Sequence, residues 1–143
     1  MLKNIPPMIS PDLLKALAEL GHGDRLVIAD ANFPSKTMGK QGVVIRMDGH
    51  KALDVARAIL QLIPLDQYAK EKAMLMDKVP GDETPTPIWD DFEALLIEEG
   101  YQKEDLVRVE RQAFYDLAKG AALIIATGET ALYGNLIMQK GVI

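Results

Sequence analysis

Two histidines and no cysteine bound the chemistry open to this chain. His22 sits in Gly21-His22-Gly23-Asp24, where flanking glycines let the backbone turn sharply. Imidazole is the side chain best matched to proton transfer near neutral pH. The end of a preceding helix favours its protonated form. His22 is therefore a candidate proton donor, and the competing reading is a polar residue in a surface turn. His50, at another helix start, reads as a surface residue.

Asp30 closes Arg25 to Ala29, a short stretch, β-branched at its centre, that reads as a buried strand. A carboxylate there is costly unless it is paired or hydrogen-bonded. It could receive a ligand hydroxyl, orient His22, or cap the Ala31-Asn32 turn. Phe33 beside polar neighbours suits the C–H face of a sugar, and a packing role competes with that reading. Arg111 offers forked donors to hydroxyls or a carboxylate. The bland alternative is a solvated arginine paired with Glu110 or Asp116. Tyr133-Gly134-Asn135 supplies a hydroxyl and an amide that both donates and accepts, or it is simply a turn. Gly39-Lys40-Gln41-Gly42 and Thr127-Gly128-Glu129 lack the context of nucleotide-binding loops. Asp90, Asp91 and Glu93 fit the first turns of a helix better than a metal site.

Strands alternating with helices must position these residues. Ser10-Pro11 starts a helix through Leu13, Leu14, Leu17 and Leu20, stopped at Gly21. Strands are expected at 25–29, 43–47, 73–79, 106–109, 123–127 and 136–138. A helix over 49–63 follows a cap at Asp48, and others cover 87–99 and 113–119. Residues 30–42 read as a long loop. This order predicts an α/β fold, with layered helices around a largely parallel sheet in one domain spanning 1–143. Ligands of such folds gather beyond the carboxyl ends of strands. The loops opening at Asp30, at Glu110-Arg111 and at Gly128 qualify.

Composition narrows the partners. The chain has 143 residues and a net charge of −5, which disfavours nucleic acid. Its longest strictly apolar run, Ala121 to Ala126, is far too short to cross a bilayer. Pro6 and Pro7 interrupt any signal-peptide core. Lack of cysteine removes disulfides, thiolate nucleophiles and cysteine zinc sites, and two histidines cannot build a three-histidine metal site. The expectation is a cytoplasmic protein with no metal and no cofactor.

Taken together, the motifs resemble the fucose mutarotase and ribose pyranase family of small sugar-anomer isomerases. The matching stretches are Leu20-Gly21-His22-Gly23-Asp24, Ala29-Asp30-Ala31-Asn32-Phe33-Pro34, Arg111-Gln112-Ala113-Phe114-Tyr115, Thr127-Gly128-Glu129 and Tyr133-Gly134-Asn135, leading to Lys140-Gly141-Val142. Asn32-Phe33 and Leu132-Tyr133-Gly134-Asn135 are closer to the fucose branch. Fucose-type members often carry a second histidine where this chain has Asn32.

The resemblance implies an α/β subunit in a ring-shaped decamer, with active sites near subunit contacts. It makes His22 the proton donor, and Asp30, Arg111, Tyr133, Gly134 and Asn135 the sugar-binding positions. Asp30 would hold sugar hydroxyls and tune His22. The implied reaction is exchange of α and β anomers of a monosaccharide, L-fucose or a relative, with no cofactor. The alternatives are a ribose pyranase-type enzyme acting on D-ribose, or a non-catalytic sugar-binding accessory of uptake.

Overall fold

Helix α1 (Pro11–Glu19) and the turn after it deliver the chain to β1 (Arg25–Ala29), in the interior of a six-stranded sheet. The structure, a computed structural model, describes residues 1–143. Next come α2 (Ser35–Met38), β2 (Val43–Met47), α3 (Ala52–Leu60), β3 (Ala73–Met76) and α4 (Pro87–Glu98). A 3-10 turn (Lys103–Asp105), β4 (Leu106–Val109), α5 (Arg111–Lys119), β5 (Leu123–Thr127) and β6 (Leu136–Gln139) complete the chain. The strand order is β2-β5-β1-β6-β3-β4. Only β6 is reversed; it runs antiparallel to both of its neighbours, β1 and β3. The remaining pairs, β1 with β5, β2 with β5 and β3 with β4, are parallel. The largely parallel α/β sheet expected from the sequence is the one found.

Alternation along β1 divides the core in two. Leu26 and Ile28 join the larger cluster with Leu13 of α1, Ile59 of α3 and Phe92 of α4. Val27 and Ala29 face the smaller one, with Phe114 and Ala118 of α5. Successive strand side chains point to opposite faces, so helices cover both. Each fully buried large side chain, such as Ile28 or Ile124, stabilises the fold by about 1.5–3 kcal/mol.

Several boundaries differ from the sequence reading. The 30–42 loop contains the short helix α2. α1 ends at Glu19, before Gly21. β3 stops at Met76, where its partner β4 also ends, at Val109. α5 starts earlier, at Arg111, because the Glu110 carboxylate accepts from Ala113 N at 3.1 Å. α3 is shorter than expected at both ends, and Asp48 does not cap it. Asp48 is paired with Arg46 at 2.5 Å. The α3 N-terminus is held instead by buried Glu129, which accepts from Ala52 N at 3.3 Å.

Candidate active site

The reversed strand β6 builds the centre of the site. Leu136 pairs with Ile28, so the residues just beyond, Asn135 before β6 and Asp30 after β1, meet at one edge of the sheet. Both are buried. Asp30 N donates to Asn135 Oδ1 at 2.7 Å, and Asn135 Nδ2 donates to Asp30 Oδ2 at 3.0 Å. Asp30 Oδ1 also accepts from Asn32 N at 2.9 Å. Burial pushes the Asp30 carboxyl above its usual range, while bonds from the backbone of Asn32, Phe33 and Gly134 and from the Asn135 amide pull it back. Asp30 thus caps its turn, as one of its sequence readings had it, and also stands at the cleft described next.

A cleft of about 450 Å³ opens beside this pair. Asn32, Arg111, Tyr115, Tyr133 and Asp82 line it, with Met76 and Leu132 as apolar surface. Arg111 makes no ion pair with Glu110 or Asp116. Its guanidinium lies 5.0 Å from the Tyr115 ring centroid, and Nη2 donates to Tyr115 Oη at 3.3 Å. The charged fork is therefore held by an aromatic and free of any carboxylate. Phe33 stacks on Tyr115 at 5.7 Å and meets Phe114 edge-on at 6.1 Å, so it packs the wall while touching the cleft.

Tyr133 reaches across to the 77–86 loop, where Oη donates to Asp82 Oδ2 at 2.5 Å. Hydrogen bonds from Thr84 and Tyr133 hold the Asp82 carboxyl down at about 2. Gly134 does not line the cleft. A Cβ there would lie 2.9 Å from Ala131 O and 3.1 Å from Glu129 Cγ, so its place is beneath the cleft as a packing glycine. The loop at Gly128 likewise supports the site, with Glu129 O accepting from Ala31 N at 2.8 Å. No group of three or more histidines and acids is arranged to hold a metal ion.

His22 stands elsewhere. It precedes β1, whereas Asp30 follows it, and a five-residue strand at about 3.3 Å per residue puts about 16 Å of chain between the strand's ends. Within one subunit Asp30 therefore neither orients nor tunes His22, and that sequence expectation is corrected. Asp66 is the residue that orients it. His22 Nε2 lies 3.0 Å from Asp66 Oδ1. A carboxylate only accepts, so the shared hydrogen sits on Nε2 and Nδ1 is left free. Asp66 also accepts from Tyr68 N at 3.0 Å and Gln139 Nε2 at 2.9 Å. Those bonds, Gln139 first and then His22, hold its carboxyl at about 2 despite its burial. The Tyr68 ring leans on the imidazole at 5.8 Å.

Sequence reasoning missed Asp66 and Asp82. Asp66 lies 44 positions from His22, and no spacing links them. The bridge of Leu65 to Lys140, next to the turn that carries His22, brings them together.

The model of the RbsD/FucU transport protein family matches residues 3–143. The chain belongs to the RbsD/FucU family. Fucose mutarotase of Danio rerio is 51% identical over 147 residues, spanning 100% of this chain and 95% of that protein. FucU of Bifidobacterium longum superposes with a TM-score of 0.96 at 51% identity, over 99% of both chains. Fucose mutarotase of Streptococcus pneumoniae, solved in complex with L-fucose, has a TM-score of 0.93 at 43% identity, again over 99% of both. RbsD of Bacillus subtilis, solved with D-ribose, stands further off, at a TM-score of 0.77 and 26% identity over 100% of this chain and 99% of that one. Within the RbsD/FucU family this chain is thus nearer the FucU side, as its motifs suggested.

Proposed function

We propose that this protein is a monosaccharide mutarotase that exchanges the α and β anomers of L-fucose. The observation that carries the reading is the cleft itself. It combines a buried Asp30–Asn135 pair, an unpaired Arg111 fork and a fixed Tyr133 phenol, in a backbone nearly superposable on a relative solved with L-fucose.

Anomer exchange passes through the open-chain aldehyde. The anomeric O–H loses its proton as the carbonyl forms. The C1–ring oxygen bond breaks, and the ring oxygen takes up a proton. Closure on the other face of the carbonyl reverses these steps. Asp30, Arg111 and Tyr133 hold hydroxyls, and Asn135 fixes the Asp30 carboxylate that receives one of them. His22, tethered through Nε2 to Asp66, gives the ring oxygen a proton from Nδ1 as the imidazolium, while water takes the anomeric proton. General acid–base help of this kind is worth about 10²–10⁴-fold in rate.

His22 and the cleft stand at opposite ends of β1, so the working site combines His22 of one subunit with the cleft of another. Exposed apolar side chains accompany both halves. Tyr68 is 76% exposed beside His22, and Leu132 is 52% exposed at the cleft. Such surfaces are natural subunit contacts. The reading is of a homo-oligomeric ring, a decamer, working in the cytoplasm.

Saturation-transfer NMR on L-fucose tests the proposal. Wild type is expected to speed anomer exchange, and His22→Ala to abolish that gain at matched occupancy. Binding without acceleration by wild type would favour a sugar-binding accessory. Faster exchange of D-ribose than of L-fucose would favour the ribose branch.

A further inference from the structure

Tyr133 is one of two non-glycine residues with positive φ, at 58°; the other is Asn4. A bulky aromatic in that region is strained, and such strain gathers where function needs a fixed geometry. Four contacts hold it. Its carbonyl accepts from Trp89 Nε1 at 3.0 Å, and its ring meets Trp89 edge-on at 6.5 Å. At the other end, Oη donates to Asp82 Oδ2 at 2.5 Å and accepts from Val79 N at 3.3 Å.

Asp82 is itself immobilised. Its Oδ1 takes Thr84 N at 2.9 Å and Thr84 Oγ1 at 2.6 Å, and its N donates to Val79 O at 3.0 Å. The carboxylate is therefore in place to receive the phenol. It has no proton to give, because it stays ionised down to about pH 2.

A phenol carries one hydrogen and can accept through its oxygen lone pairs. Here the hydrogen is spent on Asp82 and one acceptor position on Val79. What remains for the cleft is an acceptor only. Building on the fucose mutarotase reading above, we propose that Asp82 is a specificity-determining positioning residue: by holding the Tyr133 hydrogen it makes Tyr133 an obligate acceptor, so the sugar must present a hydroxyl hydrogen there. Arg111 has the opposite character, donating only. Together they read the direction of the sugar's hydroxyl hydrogens as well as their positions.

The test measures binding of L-fucose and its monodeoxy and deoxyfluoro analogues to wild type, Tyr133→Phe and Asp82→Ala by calorimetry. The hydroxyl facing Tyr133 is the one whose removal weakens binding to wild type but not to Tyr133→Phe. Fluorine can accept but cannot donate. At that position the fluoro analogue is expected to bind wild type as weakly as the deoxy analogue, about 3- to 10-fold below L-fucose, the range of one net hydrogen bond. In Asp82→Ala the freed phenol hydrogen can donate, and the fluoro analogue is expected to bind better than the deoxy one. A merely structural Asp82 would weaken all three sugars alike.

The proposal is overturned if fluorine restores affinity to wild type, if no hydroxyl answers to Tyr133, or if Asp82→Ala leaves the order of the analogues unchanged. Should Asp82→Ala fail to fold, the wild-type comparison of fluoro and deoxy analogues decides alone. Wild type that binds no L-fucose at all would instead refute the mutarotase reading, and this proposal with it.

Discussion

Replacing Asp66 should slow proton exchange at His22 while sparing the cleft. The Asp66 carboxylate accepts three bonds, from His22 Nε2, Tyr68 N and Gln139 Nε2. Gln139 cannot simply flip, because its Oε1 accepts from Arg25 Nε at 3.2 Å. In Asp66→Asn the less costly amide orientation keeps its oxygen on His22 and Tyr68 and sets two donors face to face at Gln139. The bond to His22 survives but loses its charge. Bonds to charged groups contribute about 1.5–3 kcal/mol and neutral ones about 0.5–1.5 kcal/mol. The difference of about 1–1.5 kcal/mol corresponds to about a tenfold drop in kcat. Asp66→Ala frees the imidazole altogether, and misplacement of that kind costs about 10²-fold. Asp66 touches no residue of the cleft, so KM should move less than kcat in both variants. Saturation-transfer NMR on L-fucose over a range of sugar concentrations separates the two constants. Wild-type kcat in folded Asp66→Ala would refute the claim that Asp66 orients the proton-transfer group.

Three further outcomes follow from the same geometry. The Asp66 carboxyl is held below its ordinary value, at about 2, so its bonds contribute stability that is complete above the usual carboxylate range. That contribution fades as pH falls from about 4 towards 2; the gap in urea midpoint between wild type and Asp66→Asn should shrink over this window, and a gap that widens would contradict the assignment. Arg111→Lys keeps the charge but loses the fork and the stack on Tyr115, which should raise KM for L-fucose about tenfold with an unchanged melting temperature, since Arg111 is exposed; an unaltered KM would remove Arg111 from the site. Gly128→Ala would place a Cβ 1.9 Å from Asp48 O, a backbone atom that cannot swing aside, and should destabilise the protein by about 1–3 kcal/mol or more in urea denaturation; a wild-type midpoint would show that the α3 entry is less rigid than described.

Local chemistry was legible in the sequence where one segment decides it. The Ser10-Pro11 start of α1 and the strand at Arg25 to Ala29 are examples, with Ser10 Oγ accepting from Leu13 N at 3.2 Å. The Asp30, Arg111 and Tyr133-to-Asn135 segments were each recognisable, and the fold does gather them at one edge. What escaped depends on contacts between distant segments. The reversal of β6, which brings Asn135 to Asp30 across 105 positions, leaves no mark on its own four residues. The cap of α3 comes from Glu129, 77 positions away, while the nearby Asp48 that looked like a cap is engaged by Arg46. The separation of His22 from Asp30 follows from both flanking a single strand, and the roles proposed for them in one reaction are compatible with it only where two subunits meet. Asp66 and Asp82 sit in irregular segments with no periodicity, so only the tertiary structure reveals what they hold.

The central claim is that anomer exchange needs His22 from one subunit and the cleft from another. Its most direct measurement is L-fucose exchange by saturation-transfer NMR in oligomers reassembled from two inactive variants, His22→Ala and Asn135→Ala. Each variant alone should be silent. Co-assembly should create sites with an intact cleft facing an intact His22, and exchange should return. Mixed oligomers that form yet remain as silent as their parents would contradict the shared site.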